Sequence, residues 1–288
     1  MIGFNLQKTK RHFAEALAER YPQREAEQLM RILLEDLFGI DLKRQLMEPN
    51  LRIDEFQYAQ LKAAVERLLA GEPVQYVTGM ARFGDLLIKV SPSVLIPRPE
   101  TEELVQKICT TLPKEASIRI WDIGTGSGCI AIALAKHFGN AEVYAFDVSE
   151  AALEVARENA ERNNAQVQFI CDDVLHPKSE IFTQPVDLVV SNPPYVCDSE
   201  HTAMEANVLD WEPETALFVP DDDPLRFYRQ ILALAKKQLN PDGQVWFEIN
   251  EQMGVGMLEL CHEMGFPKAE VLEDFAGKTR FVKTWTAE

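Results

Sequence analysis

The sequence predicts an α/β protein in which a parallel sheet follows a small all-α domain, and three observations support this. Residues 1–75 contain segments with helical spacing, interrupted by Pro22 and Pro49. From residue 117 onward, strand-like apolar runs alternate with helix-like segments, the pattern of a parallel sheet with helices on both faces. Two final strand-like runs, 270–275 and 280–285, are joined by a short turn and predict a terminal antiparallel hairpin.

The first 75 residues predict a bundle of four or five helices. Residues 24–34 and 55–69 both place apolar side chains at spacings of three and four. Residues 76–100 are expected to connect this bundle to the rest of the chain as a β-hairpin, formed by 83–90 with 94–96. Thr101 is expected to cap a helix over 102–112.

The remaining residues, 101–288, form the second predicted domain. Its strands are expected at 118–123, 142–146, 167–170, 188–190 and 244–249. Its helices are expected at 129–137, 150–162, 224–239 and 251–264.

Composition and charge exclude several classes of protein. Hydrophobic residues make up 46% of the chain and charged residues 26%, as in globular proteins. No apolar run approaches the roughly 20 residues of a membrane span, and the first residues have no apolar signal-peptide core. We therefore expect a cytoplasmic protein that does not bind membranes. The scattered cysteines and histidines form no CxxC or HExxH pattern, so no metal site is predicted.

The net charge of -17 is concentrated in the second part of the chain. Residues 1–78 have 11 Lys/Arg against 12 Asp/Glu (-1), and residues 79–288 have 18 against 34 (-16). Affinity for nucleic acid comes mainly from Lys and Arg that neutralise phosphates. This distribution favours a protein or small-molecule substrate, and no direct binding of nucleic acid is expected.

A glycine-rich loop follows the first strand of the predicted sheet. It reads Asp122-Ile-Gly-Thr-Gly-Ser-Gly128, and its glycines let the backbone turn sharply and approach a ligand. Asp147 ends the next strand, where a carboxylate can accept from both hydroxyls of a ribose. Asp172 and Asp173 end the third strand, in position for an adenine amino group. A dinucleotide fingerprint needs glycine where Cys129 stands, so the spacing favours S-adenosylmethionine over NAD.

Asn192-Pro193-Pro194-Tyr195 follows the fourth strand of the sheet. The prolines stiffen this loop and have no N–H to donate, the Asn side chain offers an acceptor, and the Tyr ring offers a flat face. An ordinary Asn-Pro turn is the alternative. Beside a cofactor loop, the four residues suit a planar NH2 group whose two hydrogens bond the Asn192 side-chain oxygen and the Pro193 carbonyl, with Tyr195 against its plane. Positioning and electrostatics then provide most of the rate, without a general base.

These motifs, together with Pro97-Arg98-Pro99-Glu100-Thr101-Glu102, resemble the release-factor glutamine methyltransferase family over nearly the whole chain. The resemblance implies a Rossmann-like, seven-stranded class I methyltransferase sheet and a helical domain that contacts peptide chain release factors. It implies methyl transfer from S-adenosylmethionine to the glutamine of their GGQ motif. The implied cofactor contacts are Gly124, Thr125, Gly126, Ser127, Gly128, Asp147, Asp173, Val174 and Asn192. The implied substrate contacts are Asn192, Pro193, Pro194 and Tyr195, of which Asn192, Pro193 and Tyr195 act in catalysis.

Two positions depart from the family pattern. The family has Glu-Ile-Gly where this chain has Asn250 in the third place, and Asp-Arg where this chain has Thr279 before Arg280. Both are expected to lie away from the reaction centre. Arg98 is interpreted equally as a residue that closes the site or as an inter-domain salt bridge. Trp211 is interpreted as a packing residue, with a place in the pocket wall as the alternative.

Other activities share Asn-Pro-Pro-Tyr, because base amines and glutamine amides present the same planar NH2 group. An adenine N6 methyltransferase needs a flipped base and a basic surface, and the acidic second domain argues against it. A ribosomal-protein glutamine methyltransferase has identical chemistry, and only the segment around Arg98 favours release factors over it. A cofactor-binding protein without catalysis is disfavoured by the intact Asn192–Tyr195 motif.

Overall fold

Two units make up the chain, Met1–Met80 and Ala81–Glu288. The computed structural model describes residues 3–203 and 209–286. The three-part division at residues 75 and 100 stays a prediction.

The first unit is helical, as predicted. Its elements are β1 (Phe4–Asn5), α1 (Leu6–Leu17), α2 (Gln23–Phe38), α3 (Leu42–Met47), β2 (Arg52–Ile53), α4 (Glu55–Leu69) and α5 (Val74–Thr78). Asp54 begins α4 through a capping box with Gln57, and Gly39 ends α2 in the left-handed conformation. The apolar stripes of the helices form one core in which Leu17, Met30 and Leu61 are fully buried. Each such side chain contributes about 1.5–3 kcal/mol.

The second unit is built on a seven-stranded sheet. Its elements are β3 (Met80–Phe83), β4 (Leu86–Lys89), α6 (Pro99–Thr111), β5 (Arg119–Ile123), α7 (Cys129–His137), β6 (Glu142–Asp147), α8 (Glu150–Arg162), β7 (Gln168–Cys171), β8 (Val186–Ser191), β9 (Val196–Cys197), β10 (Phe218–Val219), α9 (Arg226–Gln238), β11 (Leu239–Glu248), α10 (Gly254–Glu263), β12 (Lys268–Glu273) and β13 (Thr279–Trp285).

The strand order of the large sheet is β12-β13-β11-β8-β5-β6-β7. The five strands from β11 to β7 are parallel, and β13 runs antiparallel to both β11 and β12. The chain continues from β5 to β6 on one side and later returns to β8 on the other. Ligands bind in open α/β sheets at such a switch point, beyond the carboxyl ends of the strands.

Alternate side chains of the strands face opposite layers of helices. Trp121 and Phe247 pack into a core with Tyr228 of α9 and Met257 of α10. Asp122, next to Trp121, faces the other way and accepts from the N–H of Ala131 in α7. The predicted three-layer α/β fold is confirmed, and the predicted strands and helices of this sheet are present with ends displaced by a few residues.

The hairpin before the sheet differs from the prediction. It is formed by β3 and β4 around Gly84, whose φ of +56° suits glycine, and residues 94–96 are not part of it. A Gly-Asp pair between two short apolar runs is itself a hairpin signal that outweighs the run at 94–96. Pro92 and Pro97 flank that run and have no N–H for a strand ladder. Val94 is buried all the same, in a loop.

The cap of α6 also differs from the prediction. The helix begins at Pro99 with Arg98 as its N-cap, and no side chain caps it. Proline suits the first helical position because it has no N–H to leave unpaired. Thr101 therefore lies inside the first turn, 3% exposed, and its hydroxyl is directed toward the end of β11.

Candidate active site

A cavity opens at the switch point between β5 and β8. It encloses about 1120 Å³ of empty space, its open mouth included. Among the described residues, most predicted site residues line it: Gly124, Thr125, Gly126, Ser127, Asp147, Asp173, Val174, Asn192, Pro193 and Pro194. Gly128 and Tyr195 are not in this set. The structure therefore brings the two sequence motifs to one cavity.

The glycine-rich loop is fastened to β6. The N–H groups of Gly124 and Thr125 donate to the Phe146 carbonyl, both at 2.9 Å, and Gly126 N donates to Asp147 Oδ2 at 2.8 Å. The φ angles of Gly124 and Gly126 are +76° and +53°, which side chains rarely adopt. These N–H groups already donate to acceptors within the protein. The loop therefore offers a ligand a shaped surface, and not a row of free hydrogen-bond donors.

Gly128 serves the packing of the loop instead of lining the cavity. Its φ is +81°, and a Cβ there would lie 3.1 Å from the Cβ of Ala156 in α8 and 3.2 Å from Ile132. Glycine at this position lets α7 start close against α8.

Asp122 supports the loop from beneath. Its Oδ2 accepts from the Thr125 hydroxyl (2.6 Å) and from Ala131 N (3.1 Å), and burial raises its pKa to about 7. Among the described residues, its buried Oδ1 has no hydrogen-bond partner. Asp122 is fully buried and is not among the residues that line the cavity, so it holds the loop and does not itself contact a ligand.

Asp147 ends β6 at the wall of the cavity. Its Oδ2 accepts from Gly126 N and its Oδ1 from Ser149 N (2.9 Å), which fixes the carboxylate in one orientation. Burial raises its pKa, and the backbone hydrogen bonds act in the opposite direction. Each oxygen keeps a further lone pair, so the group fits two neighbouring hydroxyls. Together with the shaped surface of the glycine loop, this carboxylate at the cavity wall fits an adenosyl cofactor.

The end of β7 contributes a different environment. Asp172 accepts from the N–H groups of Lys178 and Ser179, at 2.9 and 2.7 Å, so its carboxylate holds the following loop. Asp173 accepts from Leu175 N and contacts His176 at 2.9 Å. Both residues, with Val174, still line the cavity.

Asn192 leaves β8 at the level where the glycine loop leaves β5. Ser191 pairs with Ile123 in the sheet, and its hydroxyl donates to the Ile123 carbonyl at 2.6 Å. The Asn192 side chain donates from Nδ2 to Thr101 Oγ1 at 3.2 Å. Register and hydrogen bonds thus hold the first residue of the Asn-Pro-Pro-Tyr segment in place.

Glu248 is the functional residue that sequence analysis missed. It is 1% exposed at the end of β11 and accepts from Thr101 Oγ1 (2.7 Å) and Tyr195 Oη (3.3 Å). Tyr195 therefore directs its hydroxyl to this carboxylate, and its ring packs against the core around Tyr228. A charged residue that ends an otherwise apolar strand beside β8 was the available signal. Neither Asn250 nor Thr279 is among the described residues that line the cavity, and the expectation that both departures lie away from the reaction centre stays a prediction.

Arg98 forms a salt bridge with Glu212, and both residues lie in the second unit. Glu212 is buried and also accepts from Ile96 N at 3.1 Å. The pair joins two segments that line the cavity, through Arg98 itself and through Pro213. In the described ranges no group of three or more His, Cys, Asp and Glu side chains could hold a metal ion.

Comparison with known proteins decides the family. Family models for the PrmC N-terminal domain and the Methyltransferase small domain match residues 9–79 and 103–210. A protein of Bacteroides thetaiotaomicron named release factor glutamine methyltransferase is 43% identical over 94% of this chain and 96% of its own length. One of the same name from Flavobacterium psychrophilum is 40% identical over 94% and 95%. The chain belongs to the release factor glutamine methyltransferase family.

The fold of this family member agrees with solved methyltransferases. A methyltransferase from Pyrococcus furiosus superposes with a TM-score of 0.53 at 20% identity, over 82% of this chain and 100% of that one. The predicted class I sheet is confirmed, and so is S-adenosylmethionine as the methyl donor. No helix within the described part of the chain is long and apolar enough to span a membrane.

Neither departure from the family pattern strains the backbone. Asn250 has no positive φ, and its side chain accepts from Gln252 N at 3.0 Å in the turn before α10. Thr279 begins β13, with its methyl group against Gly254. Glycine is therefore not required at position 250 in this chain.

Proposed function

We propose that this protein transfers the methyl group of S-adenosylmethionine to the side-chain amide nitrogen of the glutamine in the GGQ motif of peptide chain release factors. The observation that supports this most is that Asn192, Pro193 and Pro194 line the same cavity as the glycine loop and Asp147. The relatives named release factor glutamine methyltransferase support the choice of substrate.

The cofactor half of the site is formed by residues after β5, β6 and β7. S-adenosylmethionine supplies an electrophilic methyl group. Asp147 accepts from the ribose hydroxyls, because its carboxylate is held in one orientation at the cavity wall. Val174 gives an apolar contact and Asp173 a polar one at the adenine end, and residues 124–127 enclose the remainder.

The substrate half positions the glutamine amide. An amide nitrogen is a weak nucleophile because its lone pair is delocalised into the carbonyl. Asn192 Oδ1 and the Pro193 carbonyl accept its two hydrogens, which raises electron density on the nitrogen and fixes the line of attack. Tyr195 limits the movement of this segment through its hydrogen bond to Glu248. No histidine lines the described part of the cavity, consistent with rate enhancement by positioning.

The helical unit is proposed to recognise the release factor. The acidic second part of the chain is proposed to attract a basic GGQ domain, which accelerates association at low salt. The same charge disfavours direct binding of nucleic acid. A cytoplasmic location follows from a substrate that acts in translation.

Transfer of labelled methyl groups tests this function. The protein is incubated with labelled S-adenosylmethionine and a release factor, beside the release-factor variant with alanine in place of the GGQ glutamine. We expect one methyl group on that glutamine and no label on the variant. Label on both forms, or on DNA in place of the release factor, overturns the proposal. Label on a ribosomal protein alone supports the alternative glutamine substrate.

A further inference from the structure

A relay of two linked hydrogen bonds connects Glu248 to Asn192 through Thr101. Thr101 Oγ1 donates to Glu248 Oε2 at 2.7 Å, and Asn192 Nδ2 donates to Thr101 Oγ1 at 3.2 Å. Thr101 and Glu248 are 3% and 1% exposed. Water is therefore excluded from the bond between Thr101 and Glu248, where each donor must be matched within the protein, whereas Asn192 is half-buried and faces the cavity.

Which groups donate and which accept along this relay is determined by the Thr101 hydroxyl, which has one proton and two lone pairs. When a carboxylate takes that proton, the hydroxyl oxygen can only accept from Asn192. The NH2 and oxygen ends of an asparagine have nearly the same shape, so their partners decide which end lies where. With Nδ2 bound to Thr101, Oδ1 lies at the other end of the amide and is available to a group in the cavity that Asn192 lines.

We propose that Glu248 and Thr101 are positioning residues for methyl transfer: ionised Glu248 orients the Thr101 hydroxyl, which selects the Asn192 orientation that offers Oδ1 to the substrate amide. This inference rests on the proposed function, in which Oδ1 accepts a hydrogen of that amide. Glu248 also accepts from the Tyr195 hydroxyl. One carboxylate therefore orients both polar side chains of the Asn-Pro-Pro-Tyr segment.

Several polar and charged groups surround Glu248. They are Glu100 and Thr101 from α6, Tyr195 from the segment after β8, Tyr228 from α9, whose hydroxyl donates to the Glu248 carbonyl, and Arg280 from β13. Burial raises the pKa of Glu248 to about 7, with Glu100 acting in the same direction and with Thr101, Arg280 and Tyr195 opposing it.

Protonation of Glu248 reverses the donor and acceptor roles along the relay. A proton on Oε2 is donated to Thr101 Oγ1, and the Thr101 proton then turns toward Asn192. Asn192 is favoured with Oδ1 facing Thr101 and Nδ2 facing the cavity, where a donor meets the hydrogens of the substrate amide. Because the productive form is the ionised one, turnover is expected to fall as the pH decreases through about 7.

Thr101→Val and Thr101→Ser test the relay as a matched pair. Valine keeps the shape of threonine without the hydroxyl, and serine keeps the hydroxyl without the methyl group. With a release factor as substrate, we expect Thr101→Val to lower kcat by about 10- to 100-fold, with cofactor Kd changed by less than about threefold. Thr101→Ser is expected to stay within about threefold of the unmodified protein. A kcat loss under threefold in Thr101→Val, or equal losses in both variants, overturns the proposal.

Glu248→Gln tests the direction of the relay. Glutamine does not titrate, and its side-chain amide can present either its oxygen or its NH2 group to Thr101, so a negative charge no longer fixes the direction of the Thr101 hydroxyl. We expect a lowered kcat that does not change between pH 5.5 and 8.5, whereas the unmodified enzyme loses activity below about pH 7. The same pH profile in both proteins contradicts the role of Glu248.

A measurement without turnover separates this inference from the proposed function. The side-chain NH2 resonances of Asn192 are followed by NMR in the complex with S-adenosylhomocysteine. They are expected to shift with pH near 7 in the unmodified protein and to stay constant in Glu248→Gln. Constant resonances in both proteins overturn the relay. An active relay in a protein that does not methylate the GGQ glutamine instead refutes the proposed function alone.

Discussion

The two halves of the cavity are supported in different ways. On the cofactor side, the hydrogen bonds of Asp122 and Asp147 join residues within 21 positions of one another. On the substrate side, Asn192 depends on Thr101, 91 positions away, and Thr101 depends on Glu248, 147 positions away. The cofactor half is thus a local supersecondary unit, whereas the substrate half exists only when the whole sheet has assembled.

The largest expected effect is the loss of turnover on substitution of Asn192, which should affect the substrate half of the cavity and leave the cofactor half nearly unchanged. Asn192→Ala removes the acceptor for the substrate amide, which is a transition-state interaction. We expect turnover to fall by at least about 10³-fold, with cofactor affinity within about tenfold of the unmodified protein. Calorimetry and single-turnover kinetics measure the two quantities, and the exposed Asn140→Ala is the control. Turnover that survives Asn192→Ala nearly intact rules out this role.

Asp147→Ala is expected to have the opposite profile. It removes the proposed ribose acceptor and the carboxylate that holds Gly126 and Ser149. Cofactor Kd should rise by about 100-fold, or about 2.7 kcal/mol, while kcat at saturating cofactor changes by less than about tenfold. Isothermal calorimetry checks the first value, with the exposed Glu150→Ala as the control. A Kd within threefold of the unmodified protein would mean that Asp147 only shapes the loop.

Asp122→Asn tests the support of the cofactor half through the pH dependence of the free energy of unfolding. Because the folded-state pKa of Asp122 is raised to about 7, the folded protein binds a proton that the unfolded chain releases near pH 4. Its contribution to stability is complete at low pH and is lost as the pH rises through 7. Between pH 5.5 and 8, the stability of the unmodified protein should fall by about 2 kcal/mol relative to Asp122→Asn. Urea denaturation at both pH values measures this, and an unchanged difference refutes the assigned pKa.

The smallest expected effect concerns the wall of the cavity. Arg98→Ala leaves the buried Glu212 carboxylate with Ile96 N as its remaining bond described here. Arg98 is about one-third exposed, so we expect a loss of only about 1–2 kcal/mol in unfolding free energy. Arg229→Ala breaks an exposed pair with Asp223 and should cost less than about 0.5 kcal/mol. Equal losses of unfolding free energy in the two variants would mean that the burial of Glu212 does not increase the contribution of its salt bridge to stability.

The same contrast explains what sequence could predict. Gly124, Asp147 and Asn192 lie in short motifs whose spacing already implies the carboxyl ends of strands. The family pattern then identified the fold, the donor and the substrate class. Local patterns also predicted the strands of the sheet and the helices that cover it. They did not predict the residues at which these elements begin and end, which depend on tertiary packing.

What sequence could not predict depends on distant partners. Thr101 looked like a helix cap, because the residue type and position suited one, but its hydroxyl has a buried carboxylate within reach instead. Glu248 stood in a segment identified only by its difference at Asn250. The ring of Tyr195 was expected against the substrate, and the structure packs it on the core with its hydroxyl on Glu248. Each of these contacts joins separate elements that a local pattern does not bring together.

The strand register has a consequence for engineering. Ser191 pairs with Ile123 on one side and with Phe247 on the other, so Gly124, Asn192 and Glu248 all leave the sheet at one level. A single insertion within β8 would turn every following side chain to the opposite face and separate Asn192 from both neighbours. Insertions between β9 and β10 leave that alignment intact. Redesign of this scaffold should therefore keep β5, β8 and β11 at constant length and place insertions or deletions in the segments outside them.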